Sequence, residues 1–368
     1  MISVIRSVAG PLAVALAAFA TGGAAGAGWS IEATANPTVT SLLSGVSCSS
    51  PHACTAVGSF QTGTGAYKTL AERWNGRKWT RQPTPNPAGL SPVLVAVSCP
   101  RAGDCVAVGS TGDGLKTLAE RWNGTRWNVA ASGTGGPGWL NGVSCSSPDT
   151  CMAVGSTGID GALAERWNGT RWVVQHLHSP AGNSGLTSVS CPTQTDCTAV
   201  GYSSGGGGTF AERWNGHRWS LQATKGPTGF SFLYGVSCTS PGACIATGYY
   251  ETGAGTDKTL AERWNGRTWK VLVTPRATTG LTVNLAAVSC AGPSDCTATG
   301  YYDARQGRRG LAEHWNGHVW AVQGTPNPKG AFTSQLDGVS CPSPAGCQAA
   351  GSYMISASQK TLAERYHA

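Results

Sequence analysis

One ten-residue stretch, Leu70-Ala71-Glu72-Arg73-Trp74-Asn75-Gly76-Arg77-Lys78-Trp79, returns with small changes at 118–127, 163–172, 210–219, 260–269 and 311–320. A shortened copy, Leu362-Ala363-Glu364-Arg365-Tyr366, stands near the C-terminus. Asn-Gly between alternating apolar and polar residues is the strongest short-range hairpin signal, since a two-residue type I′ turn needs positive φ at both central positions. That register sets Trp74 against Arg77 and Glu72 against Trp79. It puts Leu70, Glu72, Trp74, Arg77 and Trp79 on one face and Ala71, Arg73 and Lys78 on the other. One face is bulky and the other small, which suits a sheet stacked on a copy of itself.

Between these copies lies an equally regular Val-Ser-Cys-x5-Cys unit. All 14 cysteines fall into seven pairs at one spacing: Cys48/Cys54, Cys99/Cys105, Cys145/Cys151, Cys191/Cys197, Cys238/Cys244, Cys290/Cys296 and Cys341/Cys347. An even set at a fixed local spacing reads as disulfides in an exported chain, each stapling the loop between two antiparallel strands. Zinc would want closer Cys spacing with His nearby, and only the first pair has one beside it, His52.

Each unit then reads as four strands. The first ends Leu-x-small-Val-Ser-Cys, the second runs Cys-x-Ala-Val-Gly, the third is Leu-Ala-Glu-Arg-Trp, and the fourth carries the second Trp. Four short antiparallel strands in every 46–52 residues are the signature of a propeller blade. The small residue before Val suits an innermost strand crowded around an axis. The last unit lacks its fourth strand, and Gly28 to Pro37 matches Lys78 to Pro87 in register. The fold class expected is therefore all-β, a single seven-bladed β-propeller over residues 28–368 with four-stranded antiparallel blades. Its N-terminal strand, 28–37, completes the blade formed by about 332–368, since an open array would leave sheet edges bare.

Residues 1–27 read as a signal peptide, with Arg6, an apolar run from Val8 to Ala20, and Ala25-Gly26-Ala27 as the cleavage site. No other run approaches the length needed to span a bilayer, so a secreted chain without a membrane span is expected. Net charge is +8, and the arginines are spread through the repeat rather than clustered, which argues against a nucleic-acid partner. A monomer is expected.

Tandem Val-Ser-Cys…Cys-x-Ala-Val-Gly…Glu-Arg-Trp-Asn-Gly-x-x-Trp units resemble those of exported actinobacterial tandem-repeat proteins, with a general likeness to kelch-type and galactose-oxidase-like propellers. The resemblance implies the fold and carries over no catalytic residue. A copper site of the galactose-oxidase kind has no counterpart, because every Cys is already paired. A looser similarity is to tectonin-like propeller lectins; the Asp-box of bacterial sialidases is absent.

Glu72, Glu120, Glu165, Glu212, Glu262, Glu313 and Glu364 hold one place in seven blades. A glycosidase needs two carboxyls at one asymmetric point, so a ring of seven reads as structural, each accepting hydrogen bonds from backbone or a neighbouring blade's Arg. The paired tryptophans read as core packing between blades. Function is sought where the units differ. The candidate ligand-binding residues are Trp139, Tyr202, Tyr234, Tyr249, Tyr250, Tyr301, Tyr302, Arg305 and Tyr353, on the face bearing inter-blade loops. Aromatic platforms with a few charges suit a glycan or cell-surface polymer. The alternatives are a glycoside hydrolase or lyase with acids at the channel mouth (Asp337, Glu251, Asp303, Asp257) and a non-catalytic extracellular scaffold. His176-x-His178 lacks a third metal ligand, no nucleophile or phosphate motif appears, and Gly205–Gly208 reads as a flexible connection. No cofactor or metal is expected.

Overall fold

A computed structural model describes residues 27–368 except 88–90, 113–115, 131–132, 134–135, 158–160, 181–182, 204–207, 228, 254 and 276–281. The expected leader, but for Ala27, and most of the Gly205–Gly208 run lie outside the described residues. The chain forms seven four-stranded antiparallel sheets. Blade 1 is β2 (Ser41–Ser50), β3 (Ala53–Gln61), β4 (Tyr67–Trp74) and β5 (Trp79–Gln82), in that order from the axis outward. The same order repeats in blades 2 to 6, β6 to β25, from Val93 to Gln323. Blade 7 takes β26 (Thr333–Ser343), β27 (Gly346–Ile355) and β28 (Ser358–His367) from one end of the chain and β1 (Gly28–Glu32) from the other. Trp29 stands opposite Tyr366 there, ring centroids 5.5 Å apart.

The bulky face of each blade packs on the small face of the one before. Leu118, Trp122 and Trp127 of blade 2 bury against Val57 and Ala71 of blade 1, and Leu70, Trp74 and Trp79 bury against Ala350 and Ala363 of blade 7. Around the axis the small residues are required. A Cβ on Gly45 would sit 2.8 Å from the Val95 carbonyl oxygen of the next blade, closer than real contacts allow. The repeated Ser of Val-Ser-Cys joins blades directly. The N–H of each blade's first Cys donates to the Ser hydroxyl of the preceding blade, 2.9–3.0 Å at all seven junctions including the last to the first. Among the described residues no helix is long and apolar enough to cross a membrane.

All seven expected disulfides are formed: Cys48–Cys54, Cys99–Cys105, Cys145–Cys151, Cys191–Cys197, Cys238–Cys244, Cys290–Cys296 and Cys341–Cys347. Bonds of this kind persist in oxidising compartments. They staple the loops as expected and also pack. The second cysteine of each pair, Cys54, Cys105, Cys151, Cys197, Cys244, Cys296 and Cys347, is buried in the core between its own blade and the preceding one. The strand register is the reason. Cys54 stands opposite Trp74, Cys105 opposite Trp122, Cys151 opposite Trp167, Cys197 opposite Trp214, Cys244 opposite Trp264, Cys296 opposite Trp315 and Cys347 opposite Tyr366. Residues opposite one another share a face, so these sulfurs lie on the bulky side with the tryptophans and add to the packing there.

The third-to-fourth-strand hairpin differs from the register read off Asn-Gly. Trp74 pairs with Trp79, Arg73 with Thr80 and Glu72 with Arg81, so four residues, 75–78, make the connection and Arg77 lies in it rather than on the bulky face. The Asn75 side-chain oxygen accepts the N–H groups of Arg77 and Lys78, both at 3.0 Å. With Asn75 making that Asx-type turn, only Gly76 needs a positive φ, +91°.

Candidate ligand site at the mouth of the channel

The innermost strands wall an axial channel of about 650 Å³. Each contributes the residue between the buried Leu and the small position, where a bulge turns the side chain inward. Around the ring these are Ser44, Val95, Asn141, Thr187, Tyr234, Ala286 and Asp337. The channel is thus asymmetric although the fold is repetitive: among these seven positions Asp337 brings the carboxylate and Tyr234 the large ring, and Tyr202 and Phe232 line the channel beside it.

The asymmetry widens at the face of the inter-blade connections. The residue after the second-strand glycine is Ser in four blades (Ser59, Ser110, Ser156, Ser352) and Tyr in three adjacent ones (Tyr202, Tyr249, Tyr301). Tyr249 pairs with Phe232 across the strands, and Phe232, Tyr234 and Tyr249 stack within 12° of parallel, centroids 5.3–6.1 Å apart. Tyr202 joins them at 5.3 Å from Phe232, lying over Gly185, the one cross-strand partner that leaves room for its ring. Burial pushes the phenols of both Tyr234 and Tyr249 above the ordinary value. Aromatic stacking of this kind is worth about 0.5–1.5 kcal/mol per pair beyond area burial.

A charged relay borders the aromatic side. The Arg308 guanidinium lies 3.7 Å over the Tyr301 ring and donates to Asp303 at 3.2 Å and to the Gln335 carbonyl at 3.2 Å. The Gln335 amide in turn donates to both oxygens of Asp337, at 3.0 and 3.1 Å. Burial pushes the Asp337 carboxyl up to about 6, against the lowering by Gln335 and Arg308. Glu251 faces Asp257 across the hairpin of blade 5, and burial, then Glu251 and Asp303, raise Asp257.

Of the residues singled out in sequence, Tyr202, Tyr234, Tyr249 and Tyr301 converge at this mouth. Their neighbours do not, because strand side chains alternate. Tyr250, Tyr302 and Tyr353 pack against the inter-blade clusters of blades 5, 6 and 7. Trp139 is exposed on the first strand of blade 3, in the place Phe232 holds in blade 5, away from the stack. Tyr302 and Arg305 line a separate cleft. Sequence reasoning passed over the Arg308–Gln335 relay, which joins residues of two blades. His176 and His178 touch edge to face at 5.3 Å, and among the described residues no group of three potential ligands could hold a metal.

The seven glutamates are buried between blades. Of the two kinds of partner expected from the sequence, backbone N–H groups and arginines, it is the backbone that reaches them. Four third-strand arginines, Arg73, Arg121, Arg213 and Arg365, instead lie over the next blade's Trp; Arg121 sits 4.6 Å from the Trp167 ring centroid while donating to the Pro148 carbonyl. Two kinds of donor in the preceding unit serve the glutamates. One is the backbone N–H six residues after the second Trp: Ala35 for Glu72, Gly133 for Glu165, His178 for Glu212 and Lys225 for Glu262, at 2.9–3.0 Å. The other is the Thr before Leu-Ala-Glu, as Thr69 serves Glu120 and Thr209 serves Glu262, both at 3.2 Å. In three units the first donor is proline (Pro85, Pro275, Pro326), which has no N–H. Glu120, Glu313 and Glu364 lose it. For Glu364 the Thr is also missing, replaced by Gly310, and both its oxygens are without a partner. Burial pushes Glu313 and Glu364 up to about 8, and Glu72, Glu120 and Glu212 to about 7.

No protein-family model matches the chain, and no curated protein matches it in sequence. Among solved structures, it is similar to YCF48 bound to a D1 peptide, at 13% identity over 93% of this chain and 95% of that one, TM-score 0.58. It is similar to YCF48 from Cyanidioschyzon merolae at 13% identity over 92% and 98%, TM-score 0.58. Aleuria aurantia lectin in complex with alpha-methyl-L-fucoside aligns at 13% identity over 83% and 97%, TM-score 0.45. At these identities the likeness to the first two is one of fold.

Proposed function

We propose that this propeller is an exported binding module that takes a carbohydrate or cell-surface polymer at the channel mouth. The observation that carries the reading is the substitution of Tyr for Ser at one structural position in three adjacent blades, Tyr202, Tyr249 and Tyr301. Internal packing does not call for it, since four blades of the same fold close with Ser there. A tyrosine face offers a sugar ring apolar area and its hydroxyl a polar edge, and the stack with Phe232 holds that surface rigid before any ligand arrives. Preorganised rings lower the ordering cost of binding. The paired cysteines support an oxidising, extracellular setting. The Val-Ser-Cys…Cys and Glu-Arg-Trp-Asn-Gly pattern supports a place among exported actinobacterial repeat proteins.

The test is a glycan array read with the wild-type chain, Tyr249→Ala and Tyr301→Ala, and with Tyr250→Ala, which lies on the opposite side of the same strand. Loss of binding in the first two variants, with Tyr250→Ala retained, is expected. A wild-type chain that holds no glycan, or variants that bind as it does, would remove the reading.

A further inference from the structure

We infer that the cleft between blades 6 and 7 is a second binding site, for a sugar residue that carries a carboxylate. It lies apart from the channel and does not depend on the mouth's role. The cleft encloses about 470 Å³ and is lined by Tyr302, Arg305, Arg309, Gln323, Asn327 and Ser334 among others, a size and mixture suited to a small ligand.

The other blades explain why it opens here. The residue before Leu-Ala-Glu is Thr in five blades and Ala162 in another. Its hydroxyl spans to the following connection, from Thr69 to Asn86 at 3.2 Å, from Thr209 to Thr224 at 2.7 Å and from Thr361 to Asn36 at 3.1 Å. Blade 6 has Gly310 instead, so no side chain reaches out from the strand; the Thr325 hydroxyl donates to the Gly310 carbonyl at 2.9 Å, and the Ser334 hydroxyl accepts from the Gly310 N–H at 3.2 Å and donates to Asn327 at 2.8 Å. Packing does not force this glycine. A Cβ there would meet Thr325 Oγ1 at 3.4 Å and Leu336 at 3.5 Å, ordinary contacts.

Charge selects the ligand. No carboxylate lines the cleft. Among the described residues neither Arg305 nor Arg309 makes a salt bridge, while the nearby Asp303 is taken by Arg308. Arg309 is fixed by the carbonyls of Phe332 at 2.9 Å and Gln306 at 3.2 Å, and Arg305 is exposed beside it at the hairpin tip. That tip is itself pinned, because Gly307 takes φ +103° against the Phe332 carbonyl. Two guanidiniums in a concave wall without a counter-charge attract an anion; Arg309, its terminal N–H groups on carbonyls, adds charge, and the fork of the exposed Arg305 matches a carboxylate. Tyr302 supplies an aromatic wall. Gln323, its carbonyl held by the Trp29 indole at 3.0 Å, supplies an amide N–H, and Asn327 and Ser334 add polar groups for ring hydroxyls. A bare inorganic anion would use the arginines and leave the rest idle.

The test is calorimetric titration of the full chain with oligomers of galacturonate and of glucuronate, with neutral galactotriose and inorganic phosphate as comparison probes. At least one oligouronate is expected to bind. Arg305→Ala should weaken it by about ten-fold, the loss of a charge-assisted hydrogen bond. Gly310→Thr, which installs the side chain of five other blades, should abolish it with the melting temperature kept, and Tyr249→Ala should leave it unchanged. The inference is overturned if neither oligouronate binds, or if galactotriose binds as well. Displacement by phosphate at equal concentration, or undiminished binding by Arg305→Ala, overturns it equally.

Discussion

The backbone N–H of Cys48 donates to the hydroxyl of Ser340, 2.9 Å away and 292 residues distant in sequence. It is the same bond that joins every other pair of adjacent blades, so the first and last blades meet as any two neighbours do. Strand β1 ties blade 7 to blade 6 in the manner of other neighbours: the Trp29 indole N–H reaches Gln323 of blade 6 at 3.0 Å, as Trp127 reaches Gln82 and Trp269 reaches Gln222.

Equal bonds should have equal worth. Ser340→Ala, at the closure, and Ser144→Ala, between blades 3 and 4, should each lower unfolding stability by about 1 kcal/mol, the cost of an N–H left without its acceptor. Trp29→Ala removes a ring that is 8% exposed and should cost about 3 kcal/mol. Denaturant midpoints measure all three. A silent Ser340→Ala beside a costly Ser144→Ala would mean that the two ends of the chain do not meet in solution.

The glutamates should divide by their donors. Glu165→Met strands the Gly133 N–H, 2.9 Å from the carboxylate, and should destabilise by about 1–3 kcal/mol. Glu364→Met removes a buried carboxyl with no partner and replaces it with an apolar chain of similar length. That exchange should be neutral or stabilising at pH 8. Thermal melts of the two variants decide it, and equal losses would show that Glu364 has a donor in solution.

The repeat made the architecture legible because every unit must bury the same face, so one pattern read seven times gave strand order and blade count. Register was less legible. Asn75-Gly76 reads as a two-residue turn until the Asn75 side chain is seen taking two N–H groups of its own loop, a choice that no spacing rule records. The cysteine spacing announced the bridges, but that Cys54 packs into the core beside Trp74 depended on the register of two strands. The mouth was half legible for a related reason. Tyr249-Tyr250 and Tyr301-Tyr302 stand out as pairs, but a strand sends only one of each pair to the mouth, and the bulge between Leu233 and Gly235 decides what Tyr234 faces. The Arg308–Gln335–Asp337 relay joins two blades and had no local signature. The three prolines that starve glutamates of a donor were in plain view, and lacked meaning until the Glu-to-backbone bonds of the other blades were known.

The disulfides should act independently of one another. Each closes a loop with a sequence separation of 6 between its cysteines, which the chain-entropy account values at about 2 kcal/mol. Replacing Cys191 and Cys197 together by Ala also empties the space of the buried Cys197 sulfur, so the loss should reach about 2–4 kcal/mol. The other six bridges should stay intact, since each lies within one hairpin. Denaturant midpoints give the loss, and non-reducing mass spectrometry should find no free thiol in the wild-type chain and six bridges in the variant. A scrambled pattern would contradict the independence of the blades.

Stability should fall as the solution is made alkaline. In the unfolded chain a Glu titrates near 4.5, whereas in the folded chain burial holds Glu72, Glu120 and Glu212 at about 7 and Glu313 and Glu364 at about 8. Between those values the folded state keeps protons that the unfolded state has released, so raising the pH favours unfolding. The contribution is whole below the unfolded value and lost as the pH passes through the folded ones. Melting temperatures taken from pH 5 to pH 9 should therefore drop by several degrees, with the decline extending past pH 7. Above pH 7 the decline belongs mainly to Glu313 and Glu364, and the double variant Glu313→Met with Glu364→Met should flatten it there and make it shallower below pH 7, where Glu72, Glu120 and Glu212 still contribute. A melting temperature that holds steady or rises from pH 5 to pH 8 would mean that these carboxyls are already ionised in the folded blade.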